Sequence, residues 1–205
     1  MNDMNVSAID LGAFHDTCLA NPEWPKQSPA KFDSGVWQAI ELNHRFNCLL
    51  WNEEDLARRK NVPDSEIAAN KRAIDGYNQK RNDAIEGMDE ALLHTLSNVT
   101  LQNNAKLNSE TAGAMMDRLS ILSLKIHHMR FQTQRTDVDI NHIETCSAKL
   151  AKLLEQRTDL QSCLDTLLES ASQGQAYFKI YRQFKMYNDP NLNPSMYQEK
   201  NNSGK

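Results

Sequence analysis

Apolar residues recur at intervals of three and four along most of this chain. The longest stripe is Ile143, Cys146, Leu150, Leu153, Leu154, Leu160, Leu164, Leu167, Leu168 and Ala171. Such spacing describes a helix with one face against a core. It predicts a helix over 138–173, stopped by Gly174, with Arg157 as the one charge inside the stripe. A helix over 35–60 is capped by Asp33 or Ser34, and another begins at Pro63-Asp64 and ends near Leu96. The Asn-rich stretch 97–108 reads as a loop, and Ser109 caps a third long helix to about Gln134. Short helices are expected over 4–20 and 175–187, the second carrying a Tyr177, Ile180, Tyr181, Phe184 stripe beside Lys179, Arg182 and Lys185. Pro22, Pro25 and Pro29 make 21–34 an arm on the surface, and Asp189-Pro190 opens a turn. The prediction is an all-α antiparallel bundle of four long helices with short terminal helices packed on it. Its parts are a helix and arm over 1–34, a bundle over 35–197 and a disordered tail over 198–205.

Three of the long helices break their own pattern. In 35–60, Leu42, Phe46, Leu49 and Leu50 form an apolar row, and Glu41, Arg45, Asn52 and Arg59 a solvated one. A third row starts apolar with Val36, Trp37 and Ile40, then continues as His44, Asn47, Trp51, Glu54, Asp55 and Arg58. The solvent side is already taken, so this polar row faces another helix. In 64–96, Lys71, Asp75, Asn78, Arg81 and Asn82 fall in or beside the stripe of Ile67, Ile74, Ile85, Met88 and Leu92. The 109–134 helix is apolar almost all round, the mark of a central element, yet Asp117, Arg118 and Lys125 interrupt it. A buried charge must be paired or watered. A polar, ligand-accepting centre between these helices accounts for all three interruptions; a paired network that only fixes helix register is the competing account.

Composition narrows the picture. The 205 residues are 40% hydrophobic and 24% charged, which excludes wholesale disorder, and the 7 Gly and 6 Pro are too few for most all-β folds. A net charge of -4 argues against a nucleic-acid binder. No secretory leader and no membrane-spanning run is read, so a cytoplasmic location is expected, with Cys18, Cys48, Cys146 and Cys163 as reduced, mostly buried thiols. No P-loop or nucleophile elbow occurs. Glu41-x-x-His44 is the single Glu-x-x-His pair, short of a di-iron set, and the acidic stretch from Asp137 has His142 where a calcium loop needs Gly.

What remains is anion chemistry. The start Asn108-Ser109-Glu110-Thr111-Ala112-Gly113 offers free backbone N–H groups, with Gly113 allowing close approach. Lys71, Arg81 and Arg118 are the partner cations, oriented by Glu54, Asp55, Asp75 and Asp117. His44 with Glu54 or Asp55 is the acid–base combination, and Trp51 a stacking wall.

Residues 42–58, with Asn43, His44, Asn47, Trp51, Glu54 and Asp55, together with 71–83, 108–111, 117–129, 155–157 and 181–197, resemble the bacterial domain-of-unknown-function 4254 family. The resemblance implies a helical bacterial protein with no established activity; some members are encoded beside cell-envelope glycosyltransferases. The 117–125 piece and the Asn47-x-x-x-Trp51-x-x-Glu54-Asp55 piece also resemble the domain-of-unknown-function 6165 family, where their order is reversed. That implies the first and third long helices meet in space.

The expected site is therefore Asn47, Trp51, Arg58, Lys71, Asp75, Asn78, Arg81, Asn82, Asn108, Ser109, Glu110, Asp117, Arg118 and Lys125 for a ligand, with His44, Glu54 and Asp55 for chemistry. The expected ligand is a phosphorylated small molecule, nucleotide- or sugar-linked, with no resident metal and no membrane partner. Two alternatives stand beside it. One is a non-catalytic interaction protein. The other is a metal-dependent all-α nucleotide pyrophosphohydrolase, in which Mg²⁺ would be the cofactor.

Overall fold

Helix caps and apolar stripes place the elements close to where the pattern puts them. The structure, a computed structural model, describes residues 6–182, 189–196 and 198. Among the described residues the long helices follow in the order α1 (Ala8–Ala20), α2 (Gly35–Leu56), α3 (Asp64–Thr95), α4 (Ala112–Thr133) and α5 (Ile140–Ser172). Ser7 caps α1 by accepting from the Asp10 N–H, and Asp139 caps α5 by accepting from the His142 N–H. Gly174 ends α5 at φ +69°, where its missing side chain leaves room for the Thr100 carbonyl, 2.3 Å from where a Cβ would stand.

The core is one continuous cluster. Leu11 of α1, Val36 and Ile40 of α2, Met88 of α3, Met116 and Leu119 of α4 and Leu164 of α5 are at most 2% exposed within it. α4 packs on all four other helices, as its nearly all-round apolar pattern predicts. The N-terminal segment joins the same core: Ala8 and Leu11 are wholly buried, and Arg157 reaches from α5 to Asp16 at 2.9 Å. No helix among the described residues is long and apolar enough to cross a membrane.

Four expectations need correction. The third long helix is capped not by Ser109 but by Thr111, whose hydroxyl accepts from the Ala114 N–H at 3.2 Å. Residues 176–182 are not helical. Ala176 and Tyr177 form a two-residue strand, β2, parallel to β1 (Lys106–Leu107) from the loop predicted at 97–108. Arg182 then clamps Glu86 and Glu90 on α3, and the remainder of the expected helix, 183–187, lies outside the described residues, as does most of the tail from 198. Finally, Glu41 is not solvated. The Pro-rich arm folds back across that face of α2, so the Lys31 and Phe32 N–H groups donate to the Glu41 carboxylate and Arg45 pairs with it at 3.1 Å. Leu42, placed on the apolar row, is instead 39% exposed.

Candidate functional site

Asn43 and Asn47 stand one turn apart on α2 and face Asp117 and Ser120, three apart on α4, so two helical faces bring four polar side chains together. Both amide nitrogens donate to Asp117 Oδ1 at 2.8 Å. Asn47 also donates toward Ser120 Oγ at 3.0 Å, and Ser120 meets His44 Nδ1 at 2.8 Å. All five residues are buried, with His44 at 0% exposure. A carboxylate only accepts, so it fixes each amide with the nitrogen inward. Asn47's carbonyl oxygen accepts from no group among the described residues, and Asn47 lines the neighbouring cleft.

Behind this layer sits an aromatic stack. The His44 ring lies 4.3 Å from His15 and 5.6 Å from Trp24, and Trp24 Nε1 donates to Cys48 Sγ. Burial drives the His44 pKa down to about 3 and that of His15 well below its usual value. Burial likewise pushes the Cys18 and Cys48 thiols up to about 12, leaving them protonated and unreactive. His44 is thus a neutral, wholly buried core residue that lines none of the cavities bordered by α2, so the acid–base role expected for it has no direct contact with a bound molecule to rest on.

The cleft lies between α2, α3 and α4 and has a volume of about 330 Å³. Asn47, Trp51, Glu54, Asp55 and Arg58 line it from α2, and Asn78 and Arg81 from α3, over an apolar floor of Leu50, Ile121 and Leu124. Arg58 pairs with Glu54 at 3.0 Å, and both are well exposed. Arg81 differs. Its Nη2 donates weakly to Asn82 at 3.3 Å, while its Nε is buried without any partner among the described residues. Beside the cleft, and sharing Trp51 and Asp55 with it, runs a groove of about 560 Å³ between α2, α4 and α5. The Trp51 ring is stacked on His128 at 4.5 Å with 5° between planes.

Other predicted residues are not brought here. Lys71 and Asp75 pair with each other at 3.3 Å on the solvent face of α3. Asp75 and Asp117 therefore do not join Glu54 and Asp55, and no group of three or more His, Cys, Asp or Glu among the described residues is placed to hold a metal. Asn82, Ser109 and Glu110 line a different cleft, Asn108 bonds to the Glu110 carbonyl, and Arg118 forms an exposed pair with Glu110 at 2.8 Å. Lys125 is exposed and lines the groove.

The anion expected at the start of α4 is supplied by the protein itself. Asp89, buried on α3, accepts from the Gly113 N–H at 2.7 Å and from Thr111, and burial raises its pKa against those bonds. Gly113 serves helix packing rather than a ligand, since a Cβ there would stand 2.6 Å from the Ile85 carbonyl and 2.9 Å from Asp89. Gly113→Ala is therefore expected to destabilise the fold by about 1–3 kcal/mol, the usual cost of overpacking, despite alanine's better helix propensity. Urea unfolding checks this, and an unchanged midpoint would refute it.

The sequence pattern does not single out His15, Trp24 or Asp89. Asp89 carried a usable signal, being an acid three residues before Leu92 in the buried stripe. The others did not, because their partners come from distant segments.

The model of a family described as a protein of unknown function, DUF4254, matches residues 37–180, which span every residue that lines the cleft and the groove. No match was found among curated proteins or among solved structures. With most of its length and both cavities inside that match, the chain belongs to the DUF4254 family.

Proposed function

We propose that this chain binds a phosphorylated small molecule, nucleotide- or sugar-linked, in the cleft between α2, α3 and α4. The observation that carries the reading is Arg81. A guanidinium N–H shielded from water and without an acceptor is costly, and because Arg81 lines the cleft, a turn of its guanidinium toward a phosphate oxygen there would replace that unmet donor with charge-assisted bonds. Asn78 adds an amide, Asn47 a held carbonyl oxygen for a ligand hydroxyl, and Trp51 a flat wall.

The interaction-protein reading finds its support one layer deeper. The Asn43 and Asn47 amide nitrogens find their acceptors within the protein, on Asp117, Asn43 and Ser120, as a register device requires. Ligand binding therefore rests on the cleft and not on that network.

Thermal unfolding against sugar phosphates, nucleotides, sugar nucleotides and inorganic phosphate tests the reading. A ligand at 100 times its dissociation constant adds about 2.7 kcal/mol, which is roughly 5–10 °C for a chain of this size. Arg81→Gln is expected to weaken binding by about 10- to 100-fold, the worth of one charge-assisted bond. It should leave the ligand-free melting temperature unchanged or slightly raised, because a buried unmet donor is removed. Flat curves across the whole panel would defeat the reading.

A further inference from the structure

We propose that the cleft and the adjoining groove form one continuous site, and that its ligand is a ring compound carrying two separated anionic groups, in its simplest form a bisphosphate. This rests on the cleft reading above. Trp51 and Asp55 line both cavities, so the two adjoin at these side chains. Neither cavity alone exceeds a drug-sized ligand; together they are far larger than one phosphate group needs.

Charge points the same way. The chain has a net charge of -4, yet three lysines line this groove, Lys125, Lys149 and Lys152, against a single acid, Asp55. Lys152 is neutralised by Glu155 at 2.7 Å. For Lys125 and Lys149 no carboxylate lies within 4 Å among the described residues, so two cations on α4 and α5 remain available in the groove, while Arg81 lines the cleft beside it. The floor beneath them is apolar, with Met129 and Leu153.

Trp51 sits at the junction and is held there by its stack on His128. Partial burial, and after it the neighbouring His127, lowers the His128 pKa, so the stack adds no further cation to the groove at neutral pH. The ligand's ring rests against Trp51, one anionic group reaches Arg81, and the other reaches Lys125 and Lys149. A monophosphate satisfies only the first of these.

Titration calorimetry at 0.15 M salt, where non-specific charge effects are screened, decides the matter. The probes are a nucleoside 3′,5′-bisphosphate with its 5′-monophosphate, and fructose 1,6-bisphosphate with fructose 6-phosphate. At least one bisphosphate is expected to bind about tenfold or more tightly than its monophosphate. The Lys125→Ala/Lys149→Ala variant should abolish that preference while leaving monophosphate affinity unchanged, and Arg81→Gln should weaken both. Equal binding of the members of each pair, or a preference that survives the double lysine variant, overturns the two-anion site and leaves the cleft reading standing. Failure of every probe to bind overturns both.

Discussion

Lowering the pH from 7 to 5 is expected to reduce the unfolding free energy by about 2 kcal/mol through His44 alone. In the folded chain its imidazole is wholly buried against His15 and Trp24 and takes a proton only near pH 3. In the unfolded chain it takes one near 6.5, the ordinary value. Between those values the unfolded state binds a proton that the folded state refuses, so stability is fully present above pH 6.5 and drains away as the pH falls toward 3. The slope for one such group is about 1.4 kcal/mol per pH unit. His15, whose pKa is lowered by burial first and then by the His44 and Arg157 charges, adds to the loss in the same direction. Urea unfolding at pH 8, 7, 6 and 5 reads the slope directly. His44→Gln should lower stability at pH 8 but flatten the profile by about one proton. A wild-type midpoint that stays constant down to pH 5 would show that these rings are hydrated after all.

How much of this was legible beforehand follows from which contacts are local. The helices were readable because each stripe repeats within its own segment, and a shared polar centre was readable because Asn47, Asp117 and their neighbours interrupt otherwise apolar rows; the specific meeting of α2 with α4 came from the reversed order of two pieces in the resemblance to the domain-of-unknown-function 6165 family. Asn47, Trp51, Asp55 and Arg58 on α2, with Asn78 and Arg81 on α3, could be placed together by phase alone. Phase could not place Lys71 and Asp75. They share a side of α3 with the cleft residues, yet they are exposed and pair with each other in solvent. Glu41 looked solvated because nothing in α2 says that the arm returns over it. Ser109 and Thr111 are both good caps by residue type, and the choice between them involves Asp89, more than 20 positions earlier. Tyr177, Ile180 and Tyr181 have helical spacing, yet Ala176 and Tyr177 pair with Lys106 and Leu107, a long-range ladder that local periodicity does not register.

Asp117→Leu is expected to cost about 3–5 kcal/mol, the largest effect of any single substitution considered, because it leaves the buried Asn43 amide without its acceptor and takes from Asn47 its shortest bond, leaving that amide only Ser120 and Asn43. Asn43 and Asn47 are 1% and 4% exposed, and both nitrogens bond to the same carboxylate oxygen at 2.8 Å. Asp117→Asn keeps an acceptor of the same shape and should cost distinctly less. The informative variant is the triple one, Asn43→Leu/Asn47→Leu/Asp117→Leu. It removes donors and acceptor together, and stability should return toward wild type, since an apolar layer of similar volume is often as stable as a paired polar one. If the layer only fixes helix register, the triple variant loses nothing else that calorimetry can detect. If the cleft binds a ligand as proposed, affinity for the phosphate probes should still fall, because Asn47 would no longer present its carbonyl oxygen beside Arg81. A triple variant as unstable as Asp117→Leu alone would mean that the polar layer is itself a net source of stability.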